Sequence, residues 1–210
     1  QLPEGWVSGL AAGEQILLHF GAVDYESFVY VNGKLAGKHR GGYSSYTLNI
    51  TPYINEGKAV ITVFAKDDLR SHKQPGGKQS ARHASYRCYY TRTTGIWQTV
   101  WLESVPENYI KSIVIDADDR EVAITAEGVT EGAIVINDGD SQISLPLCDG
   151  KATYAPENPM LWSPESPHLY TFYIQSGEDK VESYFAMRKL EVKEVEGYPR
   201  LCLNGKPYFF

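Results

Sequence analysis

The sequence is poor in helix signals. No stretch of about ten residues keeps an apolar stripe at helical spacing, which excludes bundles and α/β architectures. Only Thr51-Pro52-Tyr53-Ile54 reads as a helical turn, with Thr51 as N-cap and Pro52 at the first position. No apolar run approaches the ~20 residues that a membrane-spanning helix needs, so no membrane partner is expected. Positive charge is scarce: 20 Lys and Arg stand against 26 Asp and Glu, a net charge of -6. A general nucleic-acid binder is normally basic, so that class is excluded as well. The three cysteines, Cys88, Cys148 and Cys202, are far apart and lack metal spacing. They are expected to be buried free thiols rather than a disulfide framework.

What the sequence does contain is alternation with a period of two. "QILLHF" from Gln15, "AVITVFA" from Ala59 and "TVWLES" from Thr99 are short runs rich in β-branched and aromatic residues. Asn32-Gly33 forms a hairpin signal between two such runs, and Asn204-Gly205 forms another. After Pro106 a second series follows, from "YIKSIVI" to "KVESYFAMRKLEV", broken by Gly, Asp and Pro. That spacing predicts a β-sandwich of about seven strands. The expected fold is therefore all-β, two antiparallel β-sandwich domains joined near Pro106. Trp97 and Trp101 are expected to supply core or interface area.

Lys66 to Thr94 breaks the pattern. Its 29 residues show little alternation and hold seven of the 20 basic side chains against two acids. A segment of that length without regular structure either reaches a ligand or partner or is a solvated excursion. Pro75-Gly76-Gly77 has no apolar anchor nearby, which predicts an open, protease-sensitive centre. His72 and His83 lack a third ligand at metal spacing, so no metal site is expected. No phosphate-binding Gly-rich motif, zinc signature or Ser-His-Asp arrangement stands in the sequence, and no cofactor is implied. Asp67-Asp68 is a poor acid and nucleophile pair, because neighbours on extended chain point to opposite sides. Asn49-Ile50-Thr51 has the spacing of a glycosylation acceptor and is read instead as a strand leading into the turn.

Four stretches in order, "FVYVNGKLAGKHRGGYSSYTLNITPYI", "TGIWQTVWLE", "NPMLWSPESPHLY" and "LCLNGKPYFF", resemble landmarks of the glycoside hydrolase family of bacterial β-galactosidases, β-glucuronidases and β-mannosidases. The resemblance covers essentially the whole chain. It implies a jelly-roll sugar-binding domain over 1–106, with its first strands trimmed, and an immunoglobulin-like sandwich over 107–195. Residues 196–210 would then be the hairpin that leads into a (β/α)8 barrel. The two catalytic glutamates belong on that barrel, so no catalytic residue is expected here. Partners implied are a β-glycoside substrate and the chain's own barrel. Some family members contact the sugar through an aspartate six residues before the glycine of the Gly-Ile-aromatic motif; here that position is Tyr89. Asp67, Tyr89, Tyr90 and Arg92 are the substrate-binding candidates. The alternative is a freestanding carbohydrate-binding or adhesive β-sandwich protein.

Overall fold

The computed structural model describes residues 13–55, 59–71 and 73–209. The chain divides into two compact units, Gln1–Glu107 and Asn108–Phe210. Both are built from antiparallel strands, as the alternation predicts.

The first unit contains β1 (Gln15–Phe20), β2 (Val23–Asp24), β3 (Glu26–Val31), β4 (Lys34–Arg40), β5 (Tyr46–Asn49), β6 (Ile61–Lys66), β7 (Gly95–Ile96) and β8 (Val100–Val105). Two three-stranded sheets, β5-β1-β8 and β4-β3-β6, supply its core. Alternation turns Ile16, Leu18 and Phe20 of β1 and Val29 and Val31 of β3 inward, where they form one cluster with Ile50 and Ala59. The Asn32-Gly33 turn has φ of 49° and 77°, the paired positive values that a two-residue hairpin requires. The Asn32 side chain also joins neighbouring segments, donating to the Tyr53 carbonyl and accepting from the Val60 amide, each at 2.9 Å.

Thr51 does not cap the short 3-10 turn Thr51–Tyr53. Ile50 occupies the cap position, and the Thr51 hydroxyl accepts the Ile16 amide at 2.7 Å. A strand-to-turn bond satisfies a backbone donor that capping would have left open.

The second unit contains β9 (Ser112–Ala117), β10 (Val122–Glu127), β11 (Glu131–Asp138), β12 (Ser141–Cys148), β13 (Lys151–Tyr154), β14 (Tyr170–Ser176), β15 (Asp179–Phe185), β16 (Leu190–Val195), β17 (Tyr198–Leu203) and β18 (Lys206–Pro207). Seven strands run in the order β15-β14-β11-β12-β13-β10-β9. β12 and β13 share only the Cys148 to Lys151 pair. Val122 and Ile124 from one end of the order nevertheless cluster with Tyr170, Phe172 and Phe185 from the other. The sheet therefore doubles over into two layers around a common core. Tyr170 is fully buried, stacks on Phe185 at 5.1 Å and accepts the Met160 amide at 2.8 Å. That bond ties the proline-rich segment to the core.

The run "KVESYFAMRKLEV" is not one strand. It breaks after Phe185, and β16 pairs with β17 in a separate β16-β17-β18 sheet, because Met187 turns fully inward between the two strands. The Asn204-Gly205 turn, with φ of 50° and 81°, joins β17 to β18. The thiols also depart from expectation: only Cys202 is buried, while Cys88 and Cys148 are exposed, and all three are free. Cys88 lies in the Tyr86 to Tyr89 turn and Cys148 on the outer side of its strand.

Candidate functional site

The smallest strand pair in the first unit organises a cavity. β2 and β7 pair Val23 with Ile96 and Asp24 with Gly95, which sets the Asp24 carboxyl beside the end of the long Lys66 to Thr94 segment. Two glycines make room. Gly95 takes φ of +103°, a value L side chains rarely adopt. A Cβ on Gly42 would stand 2.7 Å from Asp24 Oδ1.

The resulting cavity has a volume of about 490 Å³ and is lined by aromatic Tyr43, Tyr90 and Trp97 and by polar Asp24, Lys78 and Gln79. Trp97 and Tyr43 meet edge to face at 5.6 Å, and the indole N–H donates to the Gly42 carbonyl at 2.7 Å. Trp97 is 51% exposed and Trp101 45% exposed, so neither lies in the core, one of the two places, core or interface, that the sequence suggests. Trp101 instead stacks on His19 at 4.8 Å. The indole hydrogen bond fixes the position of the Trp97 ring while half of its surface stays available.

Gln79 is the clamp of the site. Its Nε2 donates to Asp24 Oδ2 at 2.9 Å and its Oε1 accepts the Thr93 amide at 2.9 Å. Its own amide closes a turn onto Gly76 at 3.0 Å. One side chain thus joins the start, middle and end of the cavity wall. The centre of the long segment, which has no apolar anchor, is fixed by polar ones. Ser80 is fully buried; its hydroxyl donates to the Ala84 carbonyl at 2.7 Å and accepts the Arg82 amide at 3.0 Å.

The four predicted residues are not brought together. Tyr90 lines the cavity, held by its amide on the Lys78 carbonyl and by its carbonyl on the Ser80 amide, both at 2.7 Å. Asp67 stands behind the lining: Thr94, which does line it, donates to Asp67 Oδ2 at 3.2 Å, and Gln74 donates to Oδ1. Burial, and then the nearby charge of Asp24, push the Asp67 carboxyl above its ordinary value, against the opposing pull of the Gln74 and Thr94 hydrogen bonds and Arg92. Tyr89 stacks on Tyr86 at 5.0 Å. Arg92 donates to Nδ1 of His83 at 2.8 Å, which engages both residues with each other. His72 lies outside the described residues.

Asp24, Tyr43 and Gln79 escaped sequence reasoning, and Trp97 is expected from sequence to supply core or interface area. The one available signal is an acid, Asp24, directly after the apolar pair Ala22-Val23. Chemically, the arrangement presents aromatic faces to an apolar C–H surface. It adds one carboxylate acceptor, one ammonium and an amide for hydroxyl groups.

Residues 1–106 match the family described as glycosyl hydrolases family 2, sugar binding domain, and residues 105–188 match glycosyl hydrolases family 2. A β-galactosidase of Thermoanaerobacter pseudethanolicus is 26% identical over 93% of this chain and 28% of its own length. A β-glucuronidase of Streptococcus agalactiae is 24% identical over 97% of this chain and 37% of its own. Among solved structures, a β-glucuronidase of Faecalibacterium prausnitzii superposes with a TM-score of 0.70 at 24% identity, covering 95% of this chain and 38% of that protein. The chain thus spans between about a quarter and two fifths of the length of these relatives.

Proposed function

This chain belongs to glycoside hydrolase family 2, and from that premise we propose that it is the sugar-contacting, non-catalytic front part of an enzyme that hydrolyses β-linked O-glycosides, a β-galactosidase or β-glucuronidase. In this assignment 1–106 is the jelly-roll sugar-binding domain and 107–195 an immunoglobulin-like spacer. Residues 196–210 form the hairpin at the threshold of a (β/α)8 barrel that carries the catalytic glutamates.

The cavity composition is the observation that supports this function. Glycoside hydrolysis requires two carboxyl groups flanking the bond, about 5 Å apart for retention and farther for inversion. Among the residues lining this cavity, Asp24 is the one acid. Asp67 is engaged by Gln74 and Thr94 behind the wall. Such a wall binds and orients a glycone and leaves bond cleavage to groups elsewhere.

The test is titration of the 210-residue chain with methyl β-galactoside and methyl β-glucuronide, followed by NMR of the indole N–H of Trp97. Weak binding is expected, with a Kd on the order of millimolar, lost on Trp97→Ala, and with no turnover of chromogenic aryl β-glycosides. Hydrolysis by the chain alone would overturn the assignment, and micromolar affinity would favour the freestanding carbohydrate binder. A reading frame that continues beyond Phe210 into alternating strands and helices would favour the enzyme.

A further inference from the structure

A second surface of the first unit has its own chemistry. The inner face of the β4-β3-β6 sheet is fully buried at Ser27, Val29 and Val31, so the alternate residues Glu26, Phe28 and Tyr30 of β3 face outward. Register places three outward rows across the sheet. Lys38, Phe28 and Phe64 form one, Arg40, Glu26 and Lys66 the next, and Leu35, Tyr30 and Thr62 the third. Phe64 is 57% exposed. Its ring lies 5.9 Å from Phe28 at a 47° tilt, which makes a shallow cleft rather than a closed aromatic stack. Lys38 Nζ sits 5.6 Å above the Phe28 ring, and the Arg40 guanidinium lies 5.5 Å from the Tyr25 ring while its Nε pairs with Glu26 at 3.3 Å.

We propose that this outer sheet face is a second glycan-binding surface that takes acidic polysaccharides, chains of uronate sugars. Phe28 and Phe64 offer ring faces, whose negative quadrupole suits the C–H side of a pyranose. Lys38, Arg40 and Lys66 meet the carboxylates between them. Resting Lys38 and Arg40 on the rings of Phe28 and Tyr25 pre-orders them, which lowers the entropy lost on binding. The net charge of the whole chain is -6, so a polyanion is repelled in general and attracted where cations cluster, as on this face, where three cations outnumber a single acid. A neutral glycan would need the rings but not the cations, and a basic partner would be rejected by them. The surface does not involve the Asp24 cavity.

Affinity electrophoresis of the 210-residue chain through gels containing polygalacturonate or neutral galactan tests the proposal. Polygalacturonate should retard the chain in a salt-sensitive way, and galactan should not. Lys38→Glu combined with Lys66→Glu should weaken retardation about tenfold or more, a loss of about 1.4 kcal/mol by the standard conversion. Phe64→Ala should weaken it several-fold, and Trp97→Ala should leave it unchanged. These side chains are solvent-facing, and a thermal melt of each variant confirms folding. Equal retardation by both polymers would overturn the proposal, as would indifference to the double charge reversal or loss on Trp97→Ala. Sedimentation of the chain alone completes the test: a dimer that Phe64→Ala dissociates would make the face a self-association surface and overturn the glycan assignment.

Discussion

The two units hold themselves together by different means. In the second unit, seven strands pair in long antiparallel ladders, eight residue pairs between β11 and β12 and seven between β14 and β15. Its core is aromatic at the centre, with Phe185 contacting both Tyr170 and Phe172. Among the described residues the first unit has a smaller apolar cluster, and its long Lys66 to Thr94 segment is fixed by single side chains bonded to backbone, above all Ser80 and Gln79. Ladders spread stability over many equivalent bonds, so no one pair decides the outcome. A segment held by a few polar anchors can present irregular backbone and exposed rings to a ligand, and each anchor then matters individually.

Breaking the second unit should take the largest effect. Phe172 is 2% exposed within the apolar core, and Phe172→Ala should cost ~3–5 kcal/mol from lost burial and the cavity left behind. Urea unfolding should show the loss in the second unit's residues. A cost below ~1 kcal/mol would mean that the ladders, not the core, carry this unit.

The polar anchors of the first unit give the next largest effect. Ser80→Ala leaves the Ala84 carbonyl and the Arg82 amide without their buried partner, which should cost ~1–3 kcal/mol. The damage should stay local: hydrogen exchange should accelerate between Ser80 and Tyr90 while β14 keeps its protection. Trypsin should then cut at Arg82, where the unsubstituted chain is cut first at Lys73, outside the anchored turn. Unfolding of the whole first unit would instead show that the segment is an integral part of its core.

Gly42→Ala acts on the cavity without touching either core. Gly42 has no positive φ, and the added methyl would meet Asp24 Oδ1 at 2.7 Å, so the carboxylate must turn away from Gln79. Sugar binding should fall several-fold, on the order of 1 kcal/mol for one lost charge-assisted hydrogen bond, with the melting temperature nearly unchanged. Unaltered binding would remove Asp24 from the recognition surface.

The smallest effect is electrostatic. Burial, and secondarily Asp24, raise the Asp67 carboxyl above its ordinary 3.8, so the folded chain holds that proton more tightly than the unfolded chain does. This contribution favours folding below 3.8 and is lost as pH rises through the raised folded value. Asp67→Asn should therefore raise Tm slightly at pH 7 relative to its effect at pH 4. An equal shift at both pH values would show that the hydrogen bonds of Asp67, and not its charge, govern the difference.

Much of the regular structure was legible because its causes are local. Alternation gave the strands, and Asn32-Gly33 and Asn204-Gly205 gave their turns through positive φ alone. Thr51 misled because its hydroxyl had two possible partners, and the distant Ile16 amide won over the nearby turn. Trp97 misled because a large aromatic normally signals a core; here the Gly42 carbonyl, 55 residues away, satisfies its N–H and leaves the ring half open. Of the four predicted sugar contacts, Tyr90 reaches the cavity, whereas Tyr89 and Arg92 turn to Tyr86 and His83.

The sequence by itself determined the strand content, the positive-φ turns and the family landmarks, since these follow from side-chain period, backbone sterics and short-range order along the chain. Only the tertiary structure decided which residues form a cavity. Asp24 and Gln79 stand 55 residues apart, and their meeting depends on the β2–β7 pair and on the empty space beside Gly42. A polar contact of that kind leaves no periodic trace in sequence, because it requires one side chain at one place rather than a repeated pattern of many.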